Sequence, residues 1–198
     1  MPREQSSSKD RVLVQRTREF SAHHILLGTA NMALESAEKK EPGWLYHELI
    51  AITFSALAIE AFANSFGERI IPLWKHFESS TPTAKLLVIA QKLGVEVSNF
   101  DKEPWTTACW LISFRNKIAH AKPELISFNA VMTREEFDRK KKHYPPSKIE
   151  LEITLNNAKR AVNAVEQIVL TFGEKVSPEK FYGLFSDGWS GSVSRHND

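Results

Sequence analysis

The chain has 198 residues, of which 42% are hydrophobic and 25% are charged, the balance of an ordinary globular domain. This composition excludes a wholly disordered or fibrous chain, and the length fits one domain with short tails. The formal net charge of +2 gives no overall field that would attract nucleic acid or a membrane surface, so any polyanion-binding site has to be local.

The predicted elements begin after a Ser-rich, charged N-terminal tail over residues 1–17, which we expect to be mobile. Five segments then carry apolar residues at steps of three and four, the spacing of helices. They predict an all-α fold, a helical bundle of about five main helices at 18–40, 44–69, 83–93, 105–120 and 155–175. Pro42, Gly94 and Pro123 mark ends of these segments.

The second predicted helix is apolar on nearly all sides, which is typical of a helix at the centre of a bundle. Thr53, Glu60 and Asn64 interrupt it, and steps of seven and four place them on one stripe. A carboxylate on such a helix needs a partner, because burying an unpaired charge is costly.

The helical domain is predicted to span residues 18–176, with a long insertion at 124–153 between the fourth and fifth helices. In the insertion, Thr133 and Glu136 have the spacing of a capping box and predict a short helix. The flanking pieces 124–131 and 148–153 alternate weakly, which favours a small hairpin. Residues 177–198 are expected to form a tail that docks in part through its aromatic residues and has a mobile end.

Cysteine usage and hydropathy bear on the compartment. Cys109 is the only cysteine, so the chain has no intramolecular disulfide, which suits a reducing compartment. The N-terminus resembles no secretory signal, and the longest apolar stretch, 49–59, is far shorter than the roughly 20 residues that span a bilayer. We therefore expect a cytoplasmic protein without a membrane partner.

Several common sites are missing from the sequence. It contains no phosphate-binding G-x-x-x-x-G-K-[ST] loop and no dinucleotide-binding G-x-G-x-x-G. The Glu-x-x-His motif of di-iron bundles and the zinc motif H-E-x-x-H are missing too. Neither a cofactor nor a metal site is predicted.

The informative segment lies at the end of the fourth helix, where Arg115, Asn116 and His120 follow one another as R-N-x-x-x-H. Arginine binds phosphate with two parallel hydrogen bonds, and histidine gains or loses a proton near neutral pH. The spacing alone is weak evidence, since Arg18 and His23 share it. The second instance is strengthened by its polar Asn, the Pro that follows and the apolar helix upstream.

With these residues, the chain resembles the HEPN superfamily of helical-bundle proteins, whose ribonuclease members carry Arg, a polar residue and then His. Arg115, Asn116 and His120 match that motif, and residues 58–62, Ala-Ile-Glu-Ala-Phe, are similar to the family's preceding helix. The resemblance covers about residues 20–172, and the insertion and the aromatic tail depart from it.

The resemblance implies a metal-independent endoribonuclease whose two protomers bring their motifs together in a homodimer. One His120 would remove the proton of a ribose 2′-hydroxyl, and the other His120 or water would protonate the leaving 5′-oxygen. Arg115 would stabilise charge on the phosphorus, and Asn116 would orient the phosphate or the imidazole. The products would be a 2′,3′-cyclic phosphate and a 5′-hydroxyl. A toxin or phage-defence role, with an antitoxin protein as a partner, fits this activity.

Further residues are candidates for supporting roles. Glu60 and Asn64 are expected to back the motif, with Glu60 pairing with Arg115, although a carboxylate that only holds the bundle together is an equal alternative. Contacts to RNA are expected from a set of basic residues that also fits a solvated helix face: Lys117, Lys122, Arg139, Lys140 and Lys141.

Three functions stay open on the sequence alone. The first is the ribonuclease, and the second is a catalytically silent HEPN-like bundle that binds nucleic acid or nucleotide or mediates dimerisation. The third is a purely structural helical protein. Fold resemblance does not guarantee chemistry, so the choice depends on the site.

Overall fold

A computed structural model describes residues 12–97, 100–139, 145–177, 183–184 and 188–195. Over these residues the chain is mostly helical, as the sequence predicts. The seven α-helices are α1 (Ala22–Glu38), α2 (Trp44–Ile70), α3 (Pro82–Leu93), α4 (Trp105–Ala119), α5 (Arg134–Arg139), α6 (Lys148–Glu152) and α7 (Leu155–Gly173). A 3-10 turn at Trp74–His76 connects α2 to α3.

The long helix α2 lies at the centre of the bundle. It packs against α1, α3, α4 and α7, and α4 also packs against α7. Its fully buried residues include Ile52, Ile59, Phe62 and Phe66, and the last two stack on Phe172 of α7. The apolar residues on the different sides of α2 are therefore covered by neighbouring helices.

By length and composition alone, α2 is apolar enough to cross a membrane, but half of its most apolar stretch is buried inside the bundle. A core helix of a soluble protein has the same appearance. The site-bearing helix α4 docks on α2 through buried residues such as Leu111 and Phe114.

Two segments near the ends of the chain form a small antiparallel sheet that the local sequence pattern does not predict. Strand β1 (Val12–Glu19) pairs with β2 (Gly188–Arg195), in register from Val12 opposite Arg195 to Glu19 opposite Gly188. Mobile ends were expected there, and α1 begins at Ala22 rather than at residue 18. The partner strand lies at the far end of the chain, so local patterning could not reveal the pairing.

The insertion differs from its prediction at one place. The expected helix after Thr133 is present as α5, and Glu136 closes its capping box with Thr133. The expected hairpin is wrong, because residues 148–152 form α6 instead of a strand. Ser147 and Glu150 cap one another's backbone N–H groups there, which stabilises the first turn of a helix.

The C-terminal tail contributes one residue to the core within its described part. Leu184 is fully buried among the helices. The aromatic residues 181, 182 and 185, which we expected to dock, lie outside the described residues.

Candidate functional site

The candidate site lies where α4 ends. Phe114 is fully buried and fixes the rotation of the helix, so Arg115 and Asn116 emerge beside it toward the surface. The helix stops at His120, whose backbone N–H donates to the carbonyl of Asn116 at 3.1 Å. The His120 side chain is exposed, as a residue that exchanges protons with a substrate requires.

Arg115 is held by two neighbours. Its Nη2 forms an ion pair with Oε2 of Glu60 on α2, and its Nη1 donates to Oδ1 of Asn116 at 3.0 Å. The side chains of Arg115 and Glu60 are 29% and 27% exposed, so the pair is partly shielded from water. The structure thus brings together three of the candidate residues and fixes the orientation of the guanidinium.

His120 lies in a different feature, an open groove of about 490 Å³ between the end of α4 and α6. We call it the His120 groove. Three lysines and two glutamates supply its charged groups, and the full lining is Lys117, His120, Ala121, Lys122, Pro123, Glu124, Lys148, Ile149 and Glu152. Arg115 and Asn116 do not line it in the described part of the chain. Two of the three motif residues therefore lie outside the groove that holds the third.

Glu152 organises one wall of the His120 groove. It accepts hydrogen bonds from Nε1 of Trp110 at 2.8 Å and from Nζ of Lys117 at 2.6 Å. Burial alone would raise the pKa of Glu152, but the hydrogen bonds from Lys117 and Trp110 and the charge of Lys117 together lower it. Glu152 therefore keeps its negative charge and neutralises Lys117.

Sequence reasoning missed three charged residues of the groove, Glu124, Lys148 and Glu152. The last two belong to α6, and the alternating pattern of 148–153 resembles that of a strand. The signal that was available is the Ser147-x-x-Glu150 capping box, which predicts a helix start at this place.

The remaining candidates lie elsewhere. Asn64 forms no hydrogen bond with Arg115 and accepts one from Nζ of Lys85 on α3 instead. Arg139 pairs with Glu135 within the exposed helix α5. Lys122 lines the His120 groove, whereas Lys140 and Lys141 lie outside the described residues. The described ranges contain no cluster of three or more His, Cys, Asp or Glu side chains suited to a metal.

Comparisons of the chain with known protein families, with curated proteins and with solved structures give no significant match. The class of protein that fold and site define is therefore a helical bundle with an Arg-Asn-His helix end, and a more particular assignment depends on the chemistry of that end.

Proposed function

We propose that the chain is a metal-independent endoribonuclease of the HEPN type. The observation that carries the proposal is an exposed imidazole at a helix end, in a groove with Lys117, Lys122 and Lys148. Lysine ammonium groups attract the phosphates of a polynucleotide, and histidine transfers protons near neutral pH. The basic character is local, in keeping with the small net charge of the chain.

In the proposed reaction, His120 takes the proton of a ribose 2′-hydroxyl, and the 2′-oxygen forms a bond to the adjacent phosphorus. The bond from phosphorus to the 5′-oxygen breaks, and a second acid supplies that oxygen with a proton. Arg115, already oriented by Glu60, stabilises the charge that develops on the phosphoryl oxygens, and Asn116 aids that orientation. The products are a 2′,3′-cyclic phosphate and a 5′-hydroxyl.

A homodimer fits this chemistry better than a monomer. Arg115 does not line the His120 groove within the described residues of its own chain, so a site that uses both groups gains from a second copy. A second His120 would also supply the acid on the far side of the phosphorus. Partial rescue on mixing His120→Ala with Arg115→Ala protomers would support the shared site, and stable monomers in sedimentation would contradict it.

One observation favours the silent binding bundle as an alternative. Arg115 is paired with Glu60 and Lys117 with Glu152, so two cations of the segment that ends at His120 already have carboxylate partners. A phosphate has to compete with these carboxylates. A toxin role, an antitoxin partner and a cytoplasmic location are parts of the ribonuclease proposal and depend on it.

The test incubates the purified protein with end-labelled RNA in excess EDTA and maps the new ends. We expect cleavage with cyclic phosphate ends, a loss of at least about 100-fold in His120→Ala, a comparable loss in Arg115→Ala, and no loss in His76→Ala. His76 is exposed on the 3-10 turn and lies outside the His120 groove, so it controls for the loss of an exposed imidazole. Cleavage that needs added metal or survives in His120→Ala overturns the mechanism, and the absence of cleavage favours the silent bundle.

A further inference from the structure

A second polar cavity lies between α2 and α3, and it shares no lining residue with the His120 groove. It has a volume of about 330 Å³, at the lower end of the range of small-molecule sites. We call it the Lys85 cavity, and it is lined by Asn64, Ser65, Glu68, Trp74, Glu78 and Lys85. The proposed ribonuclease reaction uses none of these groups.

Lys85 is the unusual member of this cavity because a charged side chain lies on its floor. The residue is only 3% exposed, and its Nζ donates to Oδ1 of Asn64 at 2.8 Å. An ammonium group has three N–H donors, and no other described residue accepts from it or forms an ion pair with it. A buried charge with one neutral partner is costly, and an anionic group placed beside it would lower that cost.

The mouth of the Lys85 cavity has the opposite charge. Glu68 lies one helical turn beyond Asn64, about 6 Å along α2, and Glu78 approaches from the turn before α3. Both glutamates are exposed, and neither forms an ion pair with a described residue. An ammonium group at the mouth would find two carboxylates within the same cavity.

The walls of the cavity are held in place by packing and hydrogen bonds. Trp74 is 5% exposed, stacks on Phe77 and fits against Gly67, where a Cβ would lie 2.4 Å from the indole ring. Ser65 shares a hydrogen bond with Ser21 at 3.2 Å, which holds its hydroxyl group in place. The cavity thus has a cationic floor, an acidic mouth and a fixed aromatic wall.

We propose that the Lys85 cavity binds a small zwitterion of amino-acid size. Its carboxylate accepts from Nζ of Lys85 and from the amide Nδ2 of Asn64, and its ammonium group faces Glu68 and Glu78. An inorganic anion fits this cavity less well, because the two glutamates at the mouth repel it. A simple amine also fits less well, because the ammonium group of Lys85 repels it.

Isothermal titration calorimetry on the full chain tests the proposal with three zwitterions, glycine, L-alanine and 4-aminobutyrate. Acetate and ethylamine serve as probes that each carry only one of the two charges. We expect at least one zwitterion to bind about tenfold or more tightly than either half-probe, since a charged hydrogen bond contributes that much affinity. Equal binding of acetate, or no binding of any zwitterion, overturns the proposal.

Variants locate the binding site. Lys85→Met should weaken zwitterion binding by about 10- to 100-fold, and the exposed double change Glu68→Gln with Glu78→Gln should do so too. Lys92→Met makes the same lysine change at an exposed position of α3 outside the cavity, and it should leave binding unchanged. If Lys85→Met does not fold, the double glutamine variant decides alone, and zwitterion binding that survives it contradicts the proposal. RNA cleavage is measured in a separate assay, because the zwitterion proposal does not depend on whether the protein cleaves RNA.

Discussion

At the scale of single residues, two glutamates of this bundle have pKa values displaced in opposite directions. Glu152 has two hydrogen-bond donors that favour its charged form. Glu48 on α2 is 4% exposed, and its Oε2 has no hydrogen-bond partner among the described residues. Burial raises the pKa of Glu48, although the backbone N–H of Leu155 acts in the opposite direction. The stability of the protein should therefore respond to pH in two separable ways.

Glu152→Gln should lower the free energy of unfolding at neutral pH by about 1–2 kcal/mol, because the hydrogen bonds to Lys117 and Trp110 lose their charged acceptor. The pKa of Glu152 is lowered by folding, so its contribution is present above the ordinary carboxyl range and is lost as the pH falls through the folded-state value. Urea unfolding of both proteins across a series of acidic pH values measures the difference.

The difference between the original chain and Glu152→Gln should shrink steadily as the pH falls. Glu135→Gln provides the matched control, since it breaks an exposed ion pair with Arg139 on α5 and should change stability by less than about 0.5 kcal/mol. A Glu152→Gln difference that stays constant over the whole acid range would contradict the charge-based account.

Glu48→Gln should have the opposite dependence on pH. Because folding raises the pKa of Glu48, its ionisation destabilises the fold, and this cost is complete above the folded-state pKa and absent below the unfolded-state value. Glutamine keeps an oxygen for the N–H of Leu155 but carries no charge. As pH rises, the original chain should lose stability relative to Glu48→Gln, which urea unfolding at matched pH values measures. If the free energies of unfolding of the two proteins change in parallel with pH, the prediction is contradicted.

At the scale of elements, the sequence predicts the long helices well because each one has a complete apolar period. Residues 44–69 were predicted for α2, and the helix is Trp44–Ile70. The five-residue helix α6 is too short to establish a period, and its Ile149 and Leu151 fit alternation equally well. The pairing of β1 with β2 cannot be predicted from the sequence, because no feature of the β1 segment identifies its partner strand.

In the candidate site, too, some contacts can be predicted from the sequence and others depend on the tertiary structure. A contact between Glu60 and Arg115 follows from a carboxylate in the apolar middle of a central helix, which needs a cation. Asn64 lies on the same stripe, yet one helical turn is enough to face it toward Lys85 of α3 instead. Lys148 and Glu152 enter the His120 groove only because α6 packs near the end of α4, which is a property of the tertiary structure.

The junction between α2 and the 3-10 turn depends on a glycine. An added Cβ at Gly67 would lie 2.4 Å from the Trp74 ring, so Gly67→Ala should force the indole outward and destabilise the fold by about 1–3 kcal/mol. Gly28 in α1 is the matched control, because its added Cβ meets nothing within 4 Å. Gly28→Ala should stabilise by about 0.5–1 kcal/mol. Thermal unfolding of both variants gives the comparison, and shifts in the same direction would contradict it.

At the scale of the whole molecule, the pairing of β1 with β2 brings together two segments that are far apart in the sequence. Arg69 of α2 forms an ion pair with Glu19 at the end of β1, and this links the sheet to the central helix. The side chains of β1 are exposed, so this strand buries little apolar surface. Within the described part of the C-terminal segment, Leu184 is fully buried and belongs to the core of the bundle.

This division of roles predicts different results for two changes in the same segment. Leu184→Ala should cost about 2–5 kcal/mol, the range for removing a buried leucine side chain from a core. Deleting residues 188–198 removes β2 but leaves Leu184, and it should change the free energy of unfolding by less than about 1 kcal/mol, because an isolated two-stranded sheet is marginally stable. Urea unfolding followed by helical circular dichroism measures both.

Leu170→Ala separates the effect of burial from that of losing a leucine anywhere. Leu170 lies on α7 and is 64% exposed, so the same substitution should change stability by no more than about 0.5 kcal/mol. If the deletion of 188–198 costs as much as Leu184→Ala, the sheet contributes to the stability of the bundle directly. The two strands would then stabilise the packing of the helices, and the ion pair between Arg69 and Glu19 would be the contact that links them to α2.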